Sequence, residues 1–269
     1  MKWRMTLWIG AASLAAPFAC ADVPQAARSA DVVFLGEVHD NPSHHMTQAE
    51  WVRALAPKAI VFEMVPRDVD PADISDSIDD PAALGDLLNW DDRGWPDFSM
   101  YYPIFQAAPD ALFLGAEVPR DQVRAIMAGP LVDAFGADAV QYDLDQDLSA
   151  DQQSKREALQ FAAHCGALPE SMLPMMVDVQ RLRDAVLAQV TLRAHNAAGQ
   201  GAVAVITGNG HARLDWGAPA VLKRVAPDIV QFTLGQSEEG RAPDGGFDLV
   251  LSAPAIERPD PCDAFRDTK

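Results

Sequence analysis

Positive charge is scarce in this sequence. It carries 21 Lys and Arg against 39 Asp and Glu, a formal net charge of −18, and no basic stretch interrupts the imbalance. Such a chain repels nucleic acid and anionic lipid, which excludes a nucleic-acid role. Long apolar runs are missing too. Met5 to Ala16 is mostly apolar, but about a dozen residues fall short of the ~20 that a helix needs to cross a bilayer. There is no internal repeat, and no strand-like run falls between Leu114 and Ala202. Cysteine is limited to three residues.

Lys2 and Arg4 lead into the short apolar run, and Ala19-Cys20-Ala21 offers small residues at the positions a signal peptidase reads. Residues 1–21 are therefore expected to be a signal peptide, with a mature chain beginning at Asp22 in the periplasm or cell envelope. Cys20 leaves a lipid anchor open as a variant, although Pro17-Phe18-Ala19 is a poor lead-in for one. Cys165 and Cys262 survive cleavage, and an even pair in an oxidising compartment is expected to form one disulfide. No transmembrane segment is expected in the mature chain.

Short runs rich in Val, Ile, Leu and Phe recur between helical patterns. They are Val32–Leu35, Ala59–Phe62, Ala111–Leu114, Ala202–Ile206, Ile229–Phe232 and Phe247–Val250. The first four are apolar without alternation, as strands covered on both faces should be. Helices between such strands imply crossovers, hence an α/β fold with a mainly parallel sheet flanked by helices. Asn41-Pro42 reads as a cap and first helical residue, with the helix running to about Leu55 and Pro57 beyond its end. Helical patterns at 121–128, 150–163 and 170–198 suggest a small inserted helical subdomain over 120–200. The α/β domain would then comprise 22–119 and 201–269. The Asp- and Pro-rich stretch 68–97 reads as a long loop with short helical turns.

Three points directly follow predicted strands: Gly36-Glu37-Val38-His39, Glu63, and Gly208-Asn209-Gly210-His211. Ligands of open α/β sheets bind at the carboxyl ends of the strands. Glu37, His39, His45, Glu63 and His211 are therefore the candidate site, buried carboxylates and imidazoles supplying one another's partners. A second cluster, Trp90 to Phe105, holds two of the six Trp and two of the three Tyr. Flat aromatics beside a phenol suit a large planar ligand, and tyrosinate suits ferric haem iron.

Together these segments resemble the ChaN-like haem-binding proteins. The resemblance lies in Gly36 to Pro42 with His45 and Gln48, Val61-Phe62-Glu63-Met64, Trp95-Pro96-Asp97 through Tyr101-Tyr102-Pro103-Ile104-Phe105, Gly115 to Arg120, His164-Cys165-Gly166, and Thr207 to Arg213. It spans nearly the whole mature chain in consistent order. It implies haem as cofactor, with the iron held by Tyr101 or, as second choice, Tyr102. Trp95, His39, His45 and His211 would lie around it. A homodimer enclosing stacked haems, a role in haem or iron acquisition and an outer-membrane haem receptor as partner are further implications. The same Gly-x-x-His motifs resemble a wider superfamily that includes Tiki/TraB-like metallopeptidases and erythromycin-esterase-like hydrolases. That likeness implies an alternative: a metal-dependent hydrolase in which His39 and His211 bind Mn, Co or Zn, or act as base. Glu37 or Glu63 would then polarise water.

Overall fold

A computed structural model describes residues 22–199, 201–260 and 262–263. The expected signal peptide, its cleavage site and Cys20 lie outside the described residues. In chain order the elements are α1 (Gln25–Arg28), β1 (Val32–Glu37), α2 (Pro42–Leu55), β2 (Ala59–Phe62), α3 (Pro71–Ser77), α4 (Pro81–Leu87), α5 (Phe98–Ala107), β3 (Leu112–Gly115), α6 (Arg120–Ala128), α7 (Leu131–Phe135), α8 (Ala150–Ala163), α9 (Leu173–Ala197), β4 (Val203–Gly208), α10 (Asn209–Ala212), α11 (Ala218–Val225), β5 (Gln231–Glu238) and β6 (Leu249–Ala253). The strands form one sheet in the order β3-β2-β4-β1-β5-β6, with every pairing parallel. The fold is the α/β class expected from the apolar runs.

Side chains of a strand alternate between faces, and here each set meets its own helical layer. Val33, Leu35, Ile60, Phe62, Ala204 and Ile206 pack with Trp51 and Val52 of α2 and with Tyr101, Ile104 and Phe105 of α5. The Phe62 and Phe105 rings stack with centroids 4.3 Å apart. On the other face Val32, Phe34, Val61, Val203 and Val205 pack against Leu182, Val186 and Val190 of α9 and Leu222 of α11. Every residue of β1, β2 and β4 is buried, which is why those runs show no polar alternation. The helical stretch after β3 therefore supplies a layer of the sheet itself, since α9 is the crossover leading back to β4.

Connections decide where a cleft can open. The chain leaves β1 for α2 on one face and leaves the neighbouring β4 for α11 on the other. Adjacent strands whose exits diverge make a topological switch point, where a crevice forms beyond their carboxyl ends.

Several boundaries differ from the sequence expectation. β5 runs from Gln231 to Glu238 and β6 from Leu249 to Ala253, both later than the apolar runs suggested. The polar end of β5 is buried because its amides are satisfied: Gln236 Nε2 donates to Gly36 O at 2.8 Å and to His44 O at 3.1 Å. Within 68–97, α3 and α4 are true helices. Asp70 and Asp80 cap them by accepting from Ala72 N and from Ala82 and Ala83 N, with Pro71 and Pro81 as first helical residues. Cys165 and Cys262 form the expected disulfide, with Cα atoms 5.5 Å apart and a sequence separation of 97. Closing a loop of roughly 100 residues removes about 4.7 kcal/mol of unfolded-state entropy in the chain-entropy account. No helix among the described residues is long and apolar enough to cross a membrane.

Candidate functional site

The first residues of the site come from the exit of β1. The buried Glu37 carboxylate accepts from His39 Nδ1 at 2.8 Å and from the Tyr101 hydroxyl at 2.7 Å, both on Oε1. Its other oxygen lies 3.4 Å from His45 Nδ1. His45 is fully enclosed, and its Nε2 donates to the His39 carbonyl at 2.8 Å. Gln48 donates its amide to Leu35 O, which turns its oxygen towards His45 Nδ1. Both His45 nitrogens thus face acceptors alone, the environment of an imidazolium. Burial opposes that charge, but Glu37 outweighs it and raises the His45 pKa. Burial likewise favours a neutral Glu37, yet the hydrogen bonds from His39 and His45 hold its carboxyl at about 2. His39 is pushed down by burial and pulled up further by Glu37, Glu63 and Asp40, ending at about 9.

α2 presents these groups because Asn41 caps it, accepting from Ser43 N at 3.0 Å. The Asn41 amide donates to Glu238 and to Pro254 O. Arg258, from the C-terminal segment, bridges Asp40 and Glu238 with four bonds of 2.7–2.9 Å. The Arg258 guanidinium holds Glu238 at about 2. The β1 exit is thereby clamped to the end of β5.

A second cluster forms at the exits of β2 and β4. Glu63 Oε2 accepts from Thr207 Oγ1 at 2.6 Å and from Gly208 N at 2.9 Å. Its Oε1 lies 3.5 Å from His211 Nε2. His211 Nδ1 donates to Asp184 of α9 at 2.7 Å. One imidazole therefore sits between two buried carboxylates. Burial pushes the His211 pKa down, but Glu63 and Asp184 raise it overall. Burial raises the Asp184 carboxyl, with His211 only partly offsetting it. At Gly208 a Cβ would stand 2.8 Å from His39 Nε2, so any other residue there would push the His39 ring aside.

The two clusters share a cleft of about 480 Å³ lined by His39, Glu63 and His211, with Trp95, Val118 and Leu187 as apolar wall and Arg93, Arg120 and Arg183 around it. Trp95 lies 5.1 Å from the His39 ring. The side chain of His39 is 34% exposed, and its Nε2 makes no hydrogen bond among the described residues. Three of the sequence candidates thus meet in one space, while Glu37 and His45 stand behind His39.

Neither Tyr101 nor Tyr102 is among the residues that line the cleft. Tyr101 is fully buried, its hydroxyl committed to Glu37 and its ring 4.2 Å from that of His45. Burial and the Glu37 charge raise its pKa far above the ordinary phenol value, so a phenolate is disfavoured in this conformation. Tyr102 turns away from the cleft, donating to Ile78 O and accepting from Gln106. Among the described residues no group of three His, Cys, Asp or Glu is arranged to hold a metal ion. The cleft lining combines apolar and charged side chains, and both tyrosine hydroxyls are bonded elsewhere, to Glu37 and to Ile78 O.

Asp184, Gln180 and His44 belong to the site region and were not singled out from sequence. Asp184 and Gln180 lie one turn apart on α9, Gln180 Nε2 being 3.1 Å from His211 Nδ1. The available signal was a helical stripe of polar residues, Gln180, Asp184 and Thr191, on an otherwise apolar face. His44 Nδ1 accepts from Val38 N at 2.9 Å, and burial lowers its pKa.

A parallel α/β sheet with a carboxylate- and imidazole-lined crevice at its switch point defines the structural class. The chain belongs to the family described as haem-binding uptake, Tiki superfamily, ChaN, whose model matches residues 23–222. Among solved structures it is similar to ChaN of Campylobacter jejuni, described with cofacial haem binding. They share 20% identity over 79% of this chain and 83% of that one, with a TM-score of 0.63, a likeness of fold. The type III effector HopBA1 aligns at 12% identity over 86% of this chain and 90% of the other, with a TM-score of 0.47. A mutant erythromycin esterase, EreC in its open conformation, aligns at 13% over 78% and 71%, with 0.41. These two carry no functional argument. No curated protein matches the chain by sequence.

Proposed function

We propose that this protein is an exported haem-binding protein of the periplasm or cell envelope, acting in haem or iron acquisition, and that haem enters the cleft beyond β1, β2 and β4. The observation that carries the reading is the cleft's lining. An aromatic and aliphatic wall of Trp95, Val118 and Leu187 faces arginines and two imidazoles. Haem is a planar apolar ring with two carboxylates, and such a wall removes its faces from water. Family membership points the same way. A homodimer that covers a second haem face, and a receptor in the outer membrane, belong to the same reading.

Tyrosine ligation by Tyr101 requires the phenol to leave Glu37 and reach the cleft. Titration with hemin followed by absorbance tests both parts. Saturable binding weakened at least about tenfold in Trp95→Ala is the expected result. Undiminished binding in that variant removes the placement. A tyrosinate-type spectrum lost in Tyr101→Phe supports the ligand. Spectra unchanged in Tyr101→Phe, Tyr102→Phe and the double variant discard tyrosine while leaving the cleft reading intact.

A second reading, a hydrolase, is favoured by one observation: His39, Glu63 and His211 line the same space. Carboxylate beside imidazole serves acid–base chemistry on water. Turnover of an ester or peptide panel, with and without Mn, Co or Zn, should then exceed that of His39→Ala. Equal rates in the two proteins count against it.

A further inference from the structure

The arginines of the cleft have no role in either motif cluster. Arg120 is the first residue of α6 and Arg183 lies on α9, one turn before Leu187. Both are exposed and both line the cleft. Neither side chain makes an ion pair or hydrogen bond among the described residues. Arg93, beside them, is taken up by Glu117. Arg28, Arg181, Arg213, Arg224 and Arg258 pair with carboxylates elsewhere in the molecule; among the described residues, Arg120 and Arg183 are the arginines without an ion pair that line this cleft.

The carboxylates within the cleft make their bonds to other groups, although Glu117 also feels the charge of Arg120. Glu63 is engaged by Thr207, Gly208 and His211, and Glu117 by Arg93. His39 and His211 both have raised pKa values. The cleft is thus a locally cationic well in an acidic molecule, with an apolar wall and exposed guanidiniums in its lining. The long-range field of the protein repels anions, so the well favours a ligand whose negative groups sit at the edge of an apolar body. A guanidinium binds a carboxylate in a two-pronged, charge-assisted fashion.

We propose that Arg120 and Arg183 dock the carboxylates of the bound ligand, and that the cleft selects porphyrins with free carboxylates over neutral ones. This rests on the haem reading above and assigns its specificity. The test compares hemin with hemin dimethyl ester, which keeps iron and ring but caps both carboxylates. Dissociation constants would be measured by absorbance titration of the full mature chain at two salt concentrations. Wild type should bind hemin about ten- to a hundred-fold more tightly than the ester, less so at high salt. The double variant Arg120→Gln/Arg183→Gln should lose that preference while its affinity for the ester stays unchanged. Arg53→Gln, at an exposed position on α2 outside the cleft, should behave as wild type. Because both target side chains are exposed and unbonded, melting temperature and circular dichroism should not move.

Equal affinity of wild type for the two porphyrins overturns this inference alone. So does an undiminished preference in the double variant. Failure of wild type to bind either porphyrin overturns the haem reading and this inference together.

Discussion

The two clusters of the cleft solve the same problem in opposite ways. At the β1 exit one carboxylate, Glu37, serves three donors: His39, His45 and Tyr101. At the β4 exit one imidazole, His211, serves two carboxylates, Glu63 and Asp184. The first is rich in donors, the second in acceptors. Glu37 is therefore held firmly ionised, at about 2, whereas Asp184 is raised by burial. Neutralising a carboxylate should matter far more on the first side than on the second.

That contrast can be broken by mutation. Glu37→Ala leaves two imidazoles and a phenol without their shared acceptor, and loss of one member of a buried charged pair costs about 3–5 kcal/mol. Urea denaturation at neutral pH should show a loss of that size. Asp184→Ala removes one of two acceptors from His211, and Glu63 remains. Its expected cost is smaller, about 1–3 kcal/mol in the same experiment. Equal losses in the two variants would mean that the clusters do not differ as described.

A finer effect concerns pH. His39 in the folded chain stands at about 9 against an ordinary value of 6.5. The stability it contributes is full below 6.5 and disappears as pH rises through about 9. Glu37, at about 2 against 4.5, contributes above 4.5 and loses that contribution as pH falls through about 2. Melting temperatures should therefore decline on the alkaline side, and the decline should be shallower in His39→Gln. A wild-type curve that is flat from pH 7 to 10 would contradict the assignment.

Local rules were legible where the chain obeyed them alone. β2 matches its apolar run at both ends, and α8 begins after Ser149 as its cap suggested, the serine accepting from Gln152 N. Asn41-Pro42 was readable as a helix start by the same device that opens α3 and α4 at Asp70-Pro71 and Asp80-Pro81. Those two were obscured by the density of Asp and Pro around them. β5 was misplaced because its buried polar residues look solvent-facing until their partners are known, and β6 because it is a half-exposed edge strand with no buried run to mark it. Gln236 is buried on account of Gly36 and His44, about 190–200 residues away in sequence.

The candidate site was legible as a set of strand exits, since apolar runs ending in Gly, Glu and His mark where a parallel sheet opens. Its division of labour was not. Tyr101 and Tyr102 are neighbours in a helix, so their side chains diverge by about 100°; packing sends one to Glu37 and the other to Ile78. Asp184 is an unremarkable helical acid until α9 lies against the sheet and delivers it to His211.

Composition and periodicity by themselves determined the acidic character, the parallel α/β class and the strand ends at which chemistry gathers, because each depends on neighbouring residues and on burial of whole runs. Tertiary structure alone decided which imidazole faces the cleft, which phenol is locked away and which arginines are left unpaired. Those outcomes depend on distances between side chains far apart in the chain, and no local pattern encodes such distances.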